Sequence, residues 1–286
     1  MFHFTFLQAL VTGLVQGITE LFPISSLGHS VLIPAWLGGS WRAFSQAPQY
    51  LLVAVALHLA SAVALFIVFA PRWIAILKSV LTWSRKTPAF QVFWLLVLGT
   101  IPVALIGFAF NDFFQKNFQR PLSAAIFLFI NGIILFTTEH LTFKRHAHKV
   151  PSDQDLAIIE RVSAGQALII GVGQSAALFA GISRFGITVS MGMLRGLSRS
   201  VAADFAFLLS FPVILGASIV KLPKLGHGAL SGAYGALTFA VAISFVATII
   251  SVRLLTRWFK SNSLRPFAVY CLIIGFASII KFGFFN

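Results

Sequence analysis

Six stretches of the chain, 49–70, 90–110, 121–141, 201–220, 229–252 and 266–284, are apolar almost throughout and hold at most one formally charged residue each. Each is about as long as a helix that crosses a bilayer, roughly 20 residues. The pattern predicts an all-α, polytopic integral membrane protein, with 1–286 forming a single membrane domain.

Two further segments are apolar but broken by polar residues. Moving the chain along by 158 residues aligns "QALVTGLVQGITELFPISSLGHSV" (8–31) with "QALIIGVGQSAALFAGISRFGITV" (166–189), with nine of 24 positions identical. Apolar composition alone can explain shared Leu or Val. It does not explain Gln8, Gly13, Gln16, Ser25 and Gly28 matching Gln166, Gly171, Gln174, Ser183 and Gly186. The segments are two copies of one unit, the first starting near residue 5 and the second near 163.

Charge indicates how the copies sit. If 49–70 runs from outside to inside, loops 71–89, 142–162, 195–200 and 253–265 carry fourteen Lys and Arg. The other side carries five: Arg42, Lys116, Arg120, Lys221 and Lys224. Basic residues mark cytoplasmic loops, so both termini are expected outside. The first copy then precedes a span that starts outside, and the second follows a cytoplasmic loop. If each dips in and returns, they enter from opposite faces. That is inverted-repeat architecture, with two re-entrant helix–loop–helix segments meeting near the midplane.

The net charge of +14 therefore belongs to membrane loops, and membrane lipids rather than nucleic acid are the expected surroundings. With 58% hydrophobic and 10% charged residues, the chain is far from a soluble domain's composition. Its single cysteine, Cys271, lies in an apolar span, which excludes an intramolecular disulfide. The start, "MFHFTFLQAL", lacks the basic region and cleavage site of a cleaved signal peptide.

Within copy one, helix is expected to about Leu21, because Pro23 disfavours helix in the residue before it. "ISS" can begin a new helix with Ser25 or Ser26 as N-cap. In copy two "AGIS" does the same, with Gly181 in the place of Pro23. Both tips thus offer hydroxyls and backbone N–H groups at a helix start, where anions bind readily, and together they could hold a phosphate or diphosphate. A reading of the tips as packing loops with satisfied serines leaves their ionisable residues unexplained.

Of seven acids, Asp112, Glu139, Asp153, Asp155, Glu160 and Asp204 fall mostly in or beside predicted loops, whereas Glu20 lies inside the first broken segment. A charge near the bilayer centre costs about 2.5–3.5 kcal/mol and points to a function with a partner. Gln16, four residues earlier, shares its helical face. Arg184 offers the planar fork suited to phosphate oxygens; a salt bridge to Glu20 is the plainer reading, and the two are compatible. His29 lies one turn past Ser25 and Ser26, and it is the candidate nucleophile or general acid/base. Glu20, with Gln16, would orient His29 or hold a divalent cation. Thr188, aligned with Ser30, adds a hydroxyl to the second tip. His58, by contrast, reads as a hydrogen-bonded packing residue.

These residues carry a resemblance to the bacitracin-resistance family of undecaprenyl-diphosphate phosphatases. The family's first motif, a Glu or Gln ahead of a Glu and then P-x-S-S-x-G-H, is similar to Gln16, Glu20, Pro23, Ser25, Ser26, Gly28 and His29. Its second, P-G-x-S-R-S-x-x-T, is matched at Gly181, Ser183, Arg184 and Thr188, and the likeness continues through "GLSRSVAADFAFLLSFPVILGA" (196–217). Ala180 stands where the family has proline, Phe185 where it has serine, and "HLAS" (58–61) replaces H-L-G-T.

The resemblance implies hydrolysis of a polyprenyl diphosphate to the monophosphate and inorganic phosphate in the bacterial inner membrane, recycling the cell-wall carrier lipid at a site facing the periplasm. His29, Glu20, Arg184 and Ser26 would be catalytic, and Ser25, Ser26, Ser183, Arg184 and Thr188 would bind phosphate. Gln16, Gly28 and Gly181 would support them. A divalent cation, Mg2+ or Ca2+, would be shared between Glu20 and the diphosphate, since magnesium binds through one or two carboxylates plus phosphates. A homodimer is allowed for. The alternative is a prenyl-phosphate lipid transporter or flippase, or a paralogue that binds without hydrolysis.

Overall fold

The computed structural model describes residues 4–111, 113–114, 120–142, 159, 162–221 and 232–285. In chain order its helices begin with α1 (Phe6–Thr19), α2 (Ser26–Leu37), α3 (Gly39–Gln46), α4 (Tyr50–Val68), α5 (Ala70–Leu81) and α6 (Pro88–Ala109). They continue with α7 (Pro121–Thr142), α8 (Ala164–Gln174), α9 (Arg184–Leu194), α10 (Arg199–Lys221), α11 (Tyr234–Trp258) and α12 (Arg265–Phe284). No described residue lies in a strand. Helix is what an apolar medium demands, because each peptide group must find its partner within the segment.

All six predicted spans are helical, as α4, α6, α7, α10, α11 and α12, and each is long and apolar enough to cross a membrane. Only 28% of the most apolar window of α12 is buried, and 50% of that of α10. Half or more of each of these windows is not buried within the protein, as expected of helices that border lipid. The protein is a multi-pass, all-α membrane protein.

Close helix packing depends on small residues, as it does wherever lipid removes the hydrophobic drive between helices. Where α7 crosses α12, a Cβ on Gly132 would lie 2.9 Å from Leu272 N, and one on Gly275 would lie 2.7 Å from Phe129 N. Gly13 seats α1 on α11 against Ala240 O, and Gly171 seats α8 on α6 against Gly99 O.

Gly13 and Gly171 are matched positions of the sequence repeat, and other local features pair in the same way. Thr5 and Gln8 form a capping box on α1, and Ser163 and Gln166 form one on α8. Ser25 caps α2 through Gly28 N, and Ser183 caps α9 through Gly186 N, both at 3.1 Å. α4 packs on α11 as α10 packs on α6, and both α2 and α9 rest on α7. With 14 and 11 residues, α1 and α8 extend about 21 and 16 Å, short of the roughly 30 Å hydrocarbon core.

Helix ends assigned to the basic face do meet. Glu139 near the end of α7 pairs with Arg199 at the start of α10 and accepts Leu264 N at 3.1 Å, just before α12. Arg72 in α5 pairs with Asp204 in α10 at 3.5 Å. Glu139 lies in the last turn of α7, beside the loop as expected, and it is buried there. Lys116, Lys144, Arg145, Lys149, Arg161 and Lys224 lie outside the described residues, as do Asp112, Asp153, Asp155 and Glu160.

Candidate active site

The two sequence breaks come together, each held by the other. α1 stops at Thr19, and Glu20 is its C-cap with backbone still helical. Past Pro23 the chain reverses through Ser25, whose φ of 72° is unusual for a residue with a side chain. That bend is held from two sides, because Ser25 Oγ accepts both Gly28 N and Gly181 N at 3.1 Å. Gly181 has φ 113°, and a Cβ there would lie 2.4 Å from Ala124 O, so neither conformation nor space admits a larger residue.

Asn131 in α7 joins the tips. Its Nδ2 donates to Pro23 O at 2.9 Å, and its Oδ1 accepts Ser183 N at 3.0 Å. Ser183 Oγ donates to Phe22 O at 3.3 Å. Irregular backbone inside a membrane protein is stable where protein groups satisfy it in this way.

Glu20 is the hub. Its Oε1 accepts Arg184 Nη2 at 2.9 Å, and its Oε2 accepts Gln16 Nε2 at 2.9 Å and Ser26 Oγ at 2.5 Å. The expected Gln16–Glu20 and Glu20–Arg184 partnerships are both present. The Glu20 side chain is 2% exposed and that of Arg184 17%, so the guanidinium stands at the accessible edge of a buried acid. His58, read from sequence as a packing residue, belongs to this cluster: its Nε2 lies 3.5 Å from Glu20 Oε2.

His29 is oriented by other groups than Glu20, which corrects the sequence expectation. Its Nδ1 lies 2.7 Å from Ser25 O and its Nε2 2.8 Å from Tyr270 Oη. A carbonyl can only accept, so Nδ1 carries the proton and Nε2 presents its lone pair to the tyrosine O–H. The rings stack with centroids 5.7 Å apart. His29 is buried, whereas Tyr270 is 38% exposed.

The remaining predicted residues shape the tips. Thr188 Oγ1 donates to Arg184 O at 2.7 Å, and Ser25 and Ser183 hold backbone as described. Of the five residues expected to bind phosphate, Arg184 and Ser26 turn their side chains to the charged centre. A Cβ on Gly28 would lie 2.9 Å from Gly181 Cα, so these two glycines let the tips touch. Phe185 is buried and packs on Phe207 and Phe259, at 4.6 and 5.6 Å between centroids. It is a core residue.

No three His, Cys, Asp or Glu side chains come together to hold a metal among the described residues. Both Glu20 oxygens already accept hydrogen bonds, one of them from a guanidinium. This donor set does not fit an ion held by protein alone.

Sequence reasoning missed Asn131, Tyr270 and the role of His58. An amide and an imidazole inside apolar spans are themselves signals of function or tip support. Tyr270 carries no such signal, since aromatic residues are ordinary in these helices.

Residues 9–277 match the family described as bacitracin resistance protein BacA. The chain is 38% identical to undecaprenyl-diphosphatase 2 of Frankia alni, over 99% of each chain. It is 39% identical to the undecaprenyl-diphosphatase of Mycolicibacterium paratuberculosis, over 97% of each. With undecaprenyl-diphosphatase 2 of Chromobacterium violaceum it shares 35% identity, over 96% of this chain and 98% of that one. A match this long, over the segments that build the Glu20, His29 and Arg184 centre, means that the chain belongs to the bacitracin resistance protein BacA family.

Proposed function

We propose that the chain is a membrane phosphatase that hydrolyses undecaprenyl (polyprenyl) diphosphate to the monophosphate and inorganic phosphate, recycling the cell-wall carrier lipid. The observation that carries this reading is the junction of the two tips. There an arginine at the edge of a buried acid shares a centre with Ser26, and the histidine one turn on is held with Nδ1 against Ser25 O and Nε2 against Tyr270 Oη. The names of the relatives point to the same substrate.

Arg184 would leave Glu20 for the phosphate oxygens, which its planar fork suits better than a point charge does. Ser26 and the first N–H groups of α2 and α9, which lack intrahelical partners, would complete the cradle. Ser25, Ser183 and Thr188 hold that cradle in shape. Fixed positive charge aimed at the transferring phosphoryl group supplies most of the rate in such reactions. His29 Nε2 attacks phosphorus or takes the proton of an attacking water, and both need Tyr270 to give up that nitrogen. The prenyl chain would lie in lipid between the outward apolar faces.

The same reading makes the two copies an inverted repeat with re-entrant tips, supported by the paired caps and paired helix partnerships. It places the protein in the bacterial inner membrane with the site facing the periplasm. The side with few basic residues, which carries Arg42, Arg120 and Lys221, is the outer one on this reading. Every side chain of the centre comes from one chain, so a homodimer would not be needed to complete it. Mg2+ or Ca2+ would arrive on the diphosphate; titrating either ion into lipid-free protein should give no saturable binding.

Phosphate release from undecaprenyl diphosphate by the purified protein in detergent tests the reading. Release is expected. Binding of the lipid without release would favour the transporter.

A further inference from the structure

Tyr270 stands at the rim of the site with a single polar contact. Its side chain belongs to α12 and is partly exposed, yet its Oη lies 2.8 Å from Nε2 of the buried His29. Among the described residues that is the only hydrogen bond the side chain makes. Nδ1 of His29 faces Ser25 O at 2.7 Å and holds the ring proton, so Nε2 is the acceptor and the tyrosine O–H the donor. The two rings lie within 15° of parallel. The lone pair that the proposed chemistry needs is thus covered by a hydroxyl from a side chain with room to move.

The surrounding helices can keep their places while that side chain turns. Trp36 Nε1 in α2 donates to Ser278 Oγ in α12 at 2.9 Å, and the Trp36 ring meets Phe282 and, at 4.5 Å, Lys281 Nζ. His29 and Trp36 are seven residues apart in α2, and Tyr270 and Ser278 are eight apart in α12. These are about 10 and 12 Å of helix, so α2 and α12 run side by side in one direction and Tyr270 closes the end of their seam nearer the tips. On its other side α12 is held by Asn131 Nδ2, which donates to Cys271 Sγ at 3.3 Å, and Phe267 packs on Phe22 of the first tip. Rotation of Tyr270 about its own side-chain bonds breaks none of these contacts.

We infer that Tyr270 is a latch on the reacting nitrogen: its hydroxyl covers His29 Nε2 in the empty protein and turns to an oxygen of the diphosphate when substrate binds. The inference rests on the phosphatase reading and follows from an inventory of donors and acceptors. An ionised diphosphate brings acceptor oxygens, and Nε2 is an acceptor too, so the two set lone pairs against each other. The Tyr270 O–H is the donor already at that nitrogen. A hydrogen bond to an ionised oxygen is about twice as strong as one between neutral groups, so the substrate takes the hydroxyl from the histidine. Nε2 is then open to phosphorus or to an attacking water, and the tyrosine holds the phosphate beside it. No covalent bond changes in this exchange; one hydrogen bond changes its acceptor.

The test compares Tyr270→Phe with wild type as full-length protein in detergent, by two readouts. The first needs no turnover: carbethoxylation by diethyl pyrocarbonate, which attacks an uncovered imidazole nitrogen, followed by mass spectrometry of the peptide that carries His29. Phenylalanine keeps the ring and loses the O–H, so His29 should react faster by about 3–10-fold, the factor of one neutral hydrogen bond. The second is steady-state phosphate release from undecaprenyl diphosphate. KM should rise by about 10-fold, the excess of a charged over a neutral hydrogen bond, with kcat changed by about twofold or less, as when ground and transition state lose the same contact. An unchanged modification rate overturns the inference, and so does an unchanged KM. A fall in kcat at constant KM overturns it too, since Tyr270 would then act in the chemical step. Wild type that releases no phosphate defeats the phosphatase reading and the latch with it, whereas an active wild type with either readout unmoved in Tyr270→Phe defeats only the latch.

Discussion

Glu20 and Glu139 are both buried carboxylates paired with an arginine, yet they do different things. Glu139 takes Arg199 on one oxygen and the backbone N–H of Leu264 on the other. Its partners belong to the ends of α10 and α12, so it pins helix ends together. Glu20 takes Arg184, Gln16 and Ser26, with His58 beside it. Every one of those partners is a side chain, and side chains can turn to a substrate where a peptide group cannot. The comparison teaches that a buried ion pair is not in itself a functional signal. What distinguishes the pair we propose as functional is that all of its partners are side chains.

The largest effect should separate the two arginines. Arg184→Ala should cut phosphate release by about 1000-fold, as loss of a transition-state donor does. Arg199→Ala should leave turnover of the folded protein nearly unchanged and lower its melting temperature. Equal losses of activity in both would merge the two sites.

The carboxylates themselves come next. Glu139→Gln leaves Arg199 without a counter-charge and should cost about 3–5 kcal/mol of stability, read as a fall in melting temperature at near-normal turnover. Glu20→Gln should reverse the pattern, with turnover down by about 100-fold and a smaller change in melting.

A middle-sized effect is expected between the tips. Asn131→Leu leaves Pro23 O and Ser183 N without their amide partner, at about 1–3 kcal/mol for each unsatisfied group. Activity and melting temperature should fall together, because the tips lose register rather than chemistry. The smallest effect concerns the Ser25 bend. Ser25→Ala leaves Gly181 N unpaired at about 1–3 kcal/mol and removes the cap at about 1 kcal/mol. Ser25→Gly removes it too but relaxes the positive φ, so it should melt higher than the alanine variant by about 1 kcal/mol in stability.

The long spans were legible because twenty apolar residues have few other uses. The broken helices were legible from the match of Gln8, Gly13 and Ser25 to Gln166, Gly171 and Ser183, since polar and small residues rarely recur by chance in apolar sequence. Gln16, Glu20, Ser26 and Arg184 could be grouped because each lies within a few residues of a break. The sequence placed His29 beside the acid, but its partners are Ser25 O and Tyr270, and a contact 241 residues away leaves no trace in local spacing. His58 and Asn131 were visible as polar residues in apolar spans; what they touch depends on how α4 and α7 pack against the tips. Phe185 replaces a serine of the motif, yet its ring lies in the core, a direction that a one-dimensional motif does not record.

The most direct measurement is phosphate release from undecaprenyl diphosphate by purified His29→Ala protein beside wild type, with both shown to melt at the same temperature. Wild type should release phosphate and His29→Ala should release none. Near-normal turnover by the variant would mean that the junction of the two tips is not where the diphosphate is cleaved.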